Sequence, residues 1–451
     1  WAKSGMRAIC DPFISGGCYA ARRDPENEVA TCIHRVEAMR NYTEVSPVLD
    51  RYMNDFVRIF TSKTDGPITF ADDEEVYERQ HRPTQRTILD RVREFYRYVG
   101  TNVSRTFQKA EAMKIASAAR VITQCDEHVR FMGSKMVYSF TRVVKRMHWY
   151  AFGRTPREVG ERMAEMYQHA MMAADGDYTN MDGSIGLVAR ELERRLHLAV
   201  FRVEDHPLVL ETLSTLYGSK VSCPFGSRYP QGTGQGSGFP DTSTGNTVRN
   251  AFTAYVARRL SGDDDMQAWE RLGLYGGDDG STPDLDAKWL IDAAYMVGQV
   301  MKVNIILRPQ PIPFLGRIYG TAFAGGANSM CDFRRQMLKI HSTSRPLDVP
   351  NHAVAHDKGV SGCVLDLHTP VIGPIYKKWA DIPVRTDHVV TYDHSAGVAH
   401  KTCEPCENFE EPWMWDEIQR WWNPEQIAKV VEYATSSCPW DMVPCVEYLD
   451  V

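Results

Sequence analysis

Two acids side by side, Asp278 and Asp279, stand between an apolar arm, Leu272-Gly273-Leu274-Tyr275, and a turn-forming Gly280-Ser281-Thr282-Pro283. Glycines before the pair and turn residues after it predict a tight hairpin with both carboxylates near its tip. Two ionised carboxylates about 4 Å apart repel by roughly 4 kcal/mol at an effective dielectric near 20, so the arrangement predicts a cation between them. Mg²⁺, with Mn²⁺ as the substitute, prefers such hard oxygens and keeps waters and substrate phosphates in its shell. Phosphoryl transfer on two ions per site needs a further carboxylate from another element, and Asp177, in the pattern Asp177-x4-Asp182, is the candidate. A third element is Ser237-Gly238-x3-Thr242-x3-Asn246. Thr242 and Asn246, four apart, share one helix face, and Gly232, Gly234, Gly236 and Gly238 let backbone approach a ligand closely. A flexible linker accounts for the glycines but not for the hydroxyl and amide that follow. The Gly-Asp-Asp triplet alone decides nothing, because it occurs twice. Gly262-Asp263-Asp264 follows a helical pattern and reads as a helix end before a solvated acidic loop.

Apolar spacing at three and four predicts the elements that would hold these residues: helices over 45–60, 84–99, 154–172, 185–201, 242–260 and 285–303. Between them, 173–184 reads as a polar, turn-prone stretch, and 222–240 is dense in Gly, Pro and Ser. The lead into Asp177, Met171-Met172-Ala173-Ala174-Asp175-Gly176, is poor in the β-branched residues of a central strand. Asp175 adds an acid with no assigned role. Residues 303–307 read as a strand and 314–323 as a hairpin. No Gly-x-Gly-x-x-Gly opens a helix after a strand, so a dinucleotide-binding fold is disfavoured and an α+β arrangement, an antiparallel sheet flanked by helices, is expected.

At 451 residues, with 43% hydrophobic and 24% charged side chains, the chain is expected to form two or three subdomains. No apolar run approaches the roughly eighteen residues of a membrane span, so no transmembrane segment is expected. The opening WAKSGMRAIC lacks the features of a signal peptide, and the chain is expected to be a piece of something longer. Eleven scattered cysteines point to reduced thiols and a cytoplasmic setting. His400, Cys403 and Cys406, with Cys438 and Cys445, have only partial zinc spacing, and ordinary thiols are preferred. Trp413, Trp415, Trp421, Trp422 and Trp440 read as helical core rather than a stacking platform. The net charge is −6, yet 101–165 holds twelve Lys and Arg against six acids, a segment suited to face a polyanion.

Asp-x4-Asp, Ser-Gly-x3-Thr-x3-Asn and Gly-Asp-Asp, in this order over about a hundred residues, resemble motifs A, B and C of positive-strand RNA virus RNA-dependent RNA polymerases. The FQKAE, GxGSGxPDTSxxNT and GGDDG combination is most similar to nodaviruses and their relatives. The resemblance implies a right hand: N-terminal extension and fingers over 1–170, palm with motif A over 171–190, a fingers insertion over 191–230, palm with motifs B to E over 231–325, and thumb over 326–451. It implies that Asp177 and Asp278 bind two Mg²⁺ with Asp279 in support. Asp182 and Asn246 would contact the ribose 2′-hydroxyl, and Ser237 and Thr242 would place nucleotide and template. Residues 107–122 resemble motif F, in which Lys109, Lys114 and Arg120 would meet the triphosphate. Lys302 would protonate leaving pyrophosphate, with Lys288 as the competing position. Phe314-Leu315-Gly316-Arg317 resembles the primer-supporting motif E, so Arg317, like Gly238, would contact RNA. His81-Arg82-Pro83-Thr84 would occupy the place of a template-entry motif.

The implied partners are template and product RNA, NTPs and a viral replication complex. The implied setting is the host cytoplasm, with recruitment to membranes through segments or partners outside this chain. Two other readings stand beside this one. A reverse transcriptase would carry Tyr-x-Asp-Asp, whereas here Gly277 precedes the pair and Tyr275 lies one residue too far back. A non-catalytic RNA-binding replication or assembly protein would carry the acidic turns without needing them.

Overall fold

The structure is a computed structural model that describes residues 5–16, 18–81, 83–94, 102–384 and 408–447. Along it run the strands β1 (Arg7–Ala8), β2 (Val103–Gln108), β3 (Val121–Gln124), β4 (Met172–Tyr178), β5 (Lys220–Ser222), β6 (Arg228–Pro230), β7 (Leu274–Gly276), β8 (Asp279–Pro283), β9 (Met301–Leu307), β10 (Ile312–Phe314), β11 (Arg317–Tyr319), β12 (Met330–Cys331) and β13 (Ser342–Thr343). The central sheet has the order β7-β8-β4-β9 and is antiparallel throughout. A second sheet, β3-β2-β5-β6, contains one parallel pair, β2 with β5. Smaller sheets join β10-β11-β12 and β1-β13.

β4 corrects the expectation for 173–178. The stretch read as turn-prone is an inner strand of the central sheet, bonded to β8 on one side and β9 on the other. Strand preference measures how well a side chain fits a packed, pleated surface. Here small residues are what fit: Ala173 and Ala174 are fully buried, and a Cβ on Gly176 would press on the Met301 sulfur at 2.9 Å.

Behind this sheet lies the helix Thr242–Leu260, apolar or small nearly all round and buried accordingly. The helices Pro47–Ser62, Glu127–Val144, Leu187–Val200 and Ala287–Met296 pack around it. Phe56, Phe252, Tyr255 and Trp269 meet at its centre with ring centroids 5.1 to 5.4 Å from Phe56. Each such ring contributes roughly 1.5–3 kcal/mol by leaving water.

The expected helix over 285–303 is two elements. Ala287–Met296 ends before Gly298, whose φ of 76° is left-handed, and β9 begins at Met301. Asn41 and Thr43 press on the side of Gly298 where a Cβ would stand, so only glycine fits. The helix expected over 84–99 is described as Pro83–Glu94, and 95–99 lie outside the described residues.

A second core forms from the helices Phe333–Lys339, Asn351–Asp366, Ile372–Ala380, Pro412–Gln419 and Pro424–Thr435. Trp379 and Trp422 are fully buried in it, and Trp413, Trp415, Trp421 and Trp440 pack against it, as core rather than platform. Ile9, Phe13 and Ile14 join this core, so the first described residues, expected with 1–170, share it with the region from 326 onward. His400, Cys403 and Cys406 lie outside the described residues, as does Arg82 of the His81-to-Thr84 segment. Among the described residues, no helix is long and apolar enough to cross a membrane.

Candidate active site

The chemistry begins at a two-residue turn. Gly276 pairs with Asp279 across the β7–β8 hairpin, leaving Gly277 and Asp278 as the connection, with Gly277 at φ 69°. The helix Thr242–Leu260 holds this turn from behind. Thr247 Oγ1 accepts the Gly277 N–H at 2.8 Å, and Asn250 Nδ2 lies 3.2, 3.2 and 3.1 Å from the carbonyls of Gly277, Asp278 and Asp279. Sequence reasoning missed both residues. The signal was available, since Asn250 follows Asn246 by one helical turn.

On the neighbouring strand Asp177 sits directly across from Lys302 in the β4–β9 register. Burial raises the Asp177 pKa, the charge of Asp278 adds to that, and Lys302 opposes both. Asp279 is pushed up to about 6 by burial and by Asp278, against the pull of Arg335. Asp175 turns out to share this face of β4: burial and then Asp279 push it up to about 6, against a hydrogen bond from Asn304. Four carboxylates therefore crowd one end of the sheet, and burial with neighbouring charge raises the pKa of Asp175, Asp177 and Asp279, a donor set that calls for a cation. Among the described residues, no three acidic, His or Cys side chains close into a complete metal cage. An open set in which Asp177 and Asp278 face a cavity fits an ion that takes one or two carboxylates and fills its shell with water and phosphate. Asp279 does not line that cavity.

The cavity, about 640 Å³, brings Asp177 and Asp278 together with Asp182, Ser237, Thr242 and Asn246. Asp182 accepts from Ser237 Oγ at 2.5 Å and from Asn246 Nδ2 at 2.6 Å, a triad assembled from three elements. Thr242 lines the cavity, but its hydroxyl is turned to the carbonyls of Gly236 at 2.8 Å and Phe239 at 3.0 Å, where it holds the glycine-rich loop. Gly238 corrects another expectation. Its N–H donates to the Thr123 carbonyl at 3.0 Å, and a Cβ there would meet that oxygen, so it docks the loop on β3 and does not line the cavity.

Lys109 and Arg120 leave the β2–β3 ribbon side by side, with the Lys109 N–H donating to the Arg120 carbonyl at 2.8 Å, and both line the cavity. Both pair with Glu111, Lys109 at 3.3 Å and Arg120 through Nε at 2.6 Å. Glu111 raises the Arg120 pKa, helped by the fields of Asp278 and Asp182. Lys114 departs from expectation: it lies exposed in the connection beyond the paired strands and does not line the cavity. Lys288 places its ammonium 4.7 Å from the Trp289 ring centre, which leaves Lys302 as the lysine beside Asp177.

Arg317 is a correction too. Its guanidinium grips Asp366 at 3.0 and 3.1 Å and Ser329 Oγ at 2.9 Å, with the side chain only 11% exposed. It ties β11 to the helix Asn351–Asp366, so most of its donors are committed inside the protein. The other acidic triplet is structural, as expected: Gly262 has φ 106°, Asp263 pairs with Arg271 at 2.6 Å, and Asp264 caps the helix Asp265–Glu270.

No family model matches the chain. Curated relatives do. The RNA-directed RNA polymerase of Striped jack nervous necrosis virus is 28% identical over 394 residues, which is 80% of this chain and 39% of the relative. That of Pariacoto virus is 26% identical over 373 residues, 81% of this chain and 38% of the relative. That of Nodamura virus is 29% identical over 233 residues, 50% and 22%. The chain thus spans 39% of the length of the first of these relatives. Among solved structures, an insertion-loop deletion mutant of the RNA-dependent RNA polymerase of a human picobirnavirus is similar with a TM-score of 0.58 at 12% identity, covering 73% of this chain and 70% of that one. The α+β right-hand polymerase fold follows from that likeness.

Proposed function

We propose that this relative of the nodaviral RNA-directed RNA polymerases performs template-directed RNA synthesis in viral genome replication, joining NTPs to an RNA 3′-hydroxyl. The observation that carries the reading is one cavity shared by Asp177 of β4, Asp278 of the β7–β8 turn and the Asp182–Ser237–Asn246 triad. Asp177 and Asp278 would hold divalent ions, two Mg²⁺ or Mn²⁺ per site with Asp279 in support, whose charge lowers the barrier to in-line displacement at the triphosphate. Lys109 and Arg120 give the triphosphate its cationic wall, exchanging Glu111 for phosphate oxygens. Asp182 and Asn246 meet the ribose 2′-hydroxyl, and a deoxy sugar would leave them unsatisfied. Lys302, beside Asp177, is placed to give a proton to departing pyrophosphate.

Product RNA has a second basic surface available. A cavity of about 560 Å³ between residues 110–112 and the C-terminal helices is lined by Arg335, Lys339 and Lys358. Its acids are spoken for: Glu111 pairs with Arg120, Asp357 with Arg345 and Asp366 with Arg317. Lys358 donates to the Ile340 and Ser342 carbonyls at 2.9 and 2.7 Å, which leaves Arg335 and Lys339 for backbone phosphates. The scattered cysteines support work in the reducing host cytoplasm, and recruitment to a membrane-bound replication complex would fall to segments or partners outside this chain.

Primer extension with Mg²⁺ or Mn²⁺ tests the proposal, comparing the protein with Asp278→Ala and NTPs with dNTPs. NTP incorporation that disappears in the variant is expected. Continued synthesis by Asp278→Ala overturns the reading. Efficient dNTP use turns it toward reverse transcription, and RNA binding without synthesis by either protein turns it toward a non-catalytic role.

A further inference from the structure

We infer that Arg249, which does not line the cavity, is a positioning residue for sugar selection, because it fixes which end of the Asn246 amide faces Asp182; this rests on the polymerase reading above. Arg249 is 4% exposed and lies three residues after Asn246 on the same helix. Its Nη1 donates to Asn246 Oδ1 at 2.8 Å and to Gln235 Oε1 at 3.2 Å. Its Nη2 reaches Glu193 Oε2 at 3.3 Å and Asp241 Oδ2 at 3.6 Å. Arg190 closes the group, donating to Glu193 at 2.8 Å and to Gln235 Oε1 at 3.2 Å. Two guanidiniums and two carboxylates are thus set into the protein beneath the triad.

A guanidinium has donors and no acceptor, so the amide oxygen of Asn246 must face Arg249 and the NH₂ must face Asp182. Asp182 then takes one N–H on Oδ1 and the Ser237 hydroxyl hydrogen on Oδ2. What remains toward the cavity is acceptor capacity on Asp182 and Ser237 and one spare N–H on Asn246. A 2′-hydroxyl both donates and accepts and completes this set. A 2′-hydrogen does neither, and a 2′-fluorine only accepts. With the amide reversed, its oxygen would confront the Asp182 carboxylate and the spare donor would be lost.

Arg249→Lys keeps the charge for Glu193 and Asp241 but loses the fork that also reaches Asn246. Single-nucleotide primer extension is read as kcat and KM for NTP, 2′-fluoro-NTP and dNTP. The expected result is a fall of about tenfold or more in the kcat/KM preference for NTP over dNTP. It should arise through NTP KM, with dNTP use unchanged and the thermal midpoint retained. A merely structural role would lower both substrates together, and that result, or an unchanged preference, overturns the inference. Should Arg249→Lys fail to fold, Arg249→Met with Glu193→Gln removes one charge of each sign and is read the same way. Equal use of 2′-fluoro-NTP and NTP by the unaltered protein also overturns it. Absence of NTP incorporation by the unaltered protein would instead sink the polymerase reading.

Discussion

At the scale of the residue, Asn250 is the side chain whose loss is most diagnostic. It bridges three successive carbonyls of the Gly277–Asp279 turn without touching the cavity. Asn250→Ala should cost about 1–3 kcal/mol by leaving buried carbonyls unpaired. It should also lower kcat about tenfold or more as Asp278 loses its aim. Denaturant unfolding beside primer extension separates the two effects. Glu193 gives a pH prediction. Burial pushes its carboxyl up, but the charges of Arg190 and Arg249 outweigh burial and hold it at about 2, below the ordinary 4.5. A depressed carboxyl contributes stability that is complete above pH 4.5 and is lost as pH falls toward 2. Acid unfolding of Glu193→Gln should therefore be shallower than that of the unaltered protein between those values. That Asp177 and Asp278 come together was legible in the sequence because acids of this type and spacing signal it locally. Arg317 was not, because the partner that consumes it, Asp366, lies 49 residues further on and becomes its neighbour only in the fold.

At the scale of the element, patterns survived where local sequence suffices and failed where context decides. The hairpin expected over 314–323 forms as β10–β11 over 312–319, with a helical turn at Ala322–Ala324, and the helix Thr242–Leu260 was readable from its spacing. β4 was not, because Ala-Ala-Asp-Gly becomes a strand only through ladders supplied by residues a hundred or more positions later. The break between Ala287–Met296 and β9 was hidden for the same reason: Gly298 is required by Asn41 and Thr43, remote in sequence. Gly298→Ala should cost about 1–2 kcal/mol for its left-handed backbone, with the clash against Asn41 added. β9 carries Lys302 opposite Asp177, so activity should fall alongside the thermal midpoint.

At the scale of the molecule, charge is distributed against its own sum. A chain of net charge −6 pairs the acids lining the cavity beside its C-terminal helices and leaves Arg335 and Lys339 facing it without an ion-pair partner among the described residues. Arg335→Gln with Lys339→Gln should reduce the slope of log affinity against log salt for a primer–template RNA by about 0.9 for each phosphate no longer neutralised. Fluorescence titrations across salt concentrations measure that slope.

The pairing of β1 with β13 also sets a timetable. Arg7 donates to the Arg345 carbonyl 338 residues later, and Phe13 is buried among helices made several hundred residues after it. At about 5–20 residues per second, these early apolar side chains wait some tens of seconds for their partners. This core therefore cannot close until the helices from Phe333 onward have followed Phe13 by more than three hundred residues.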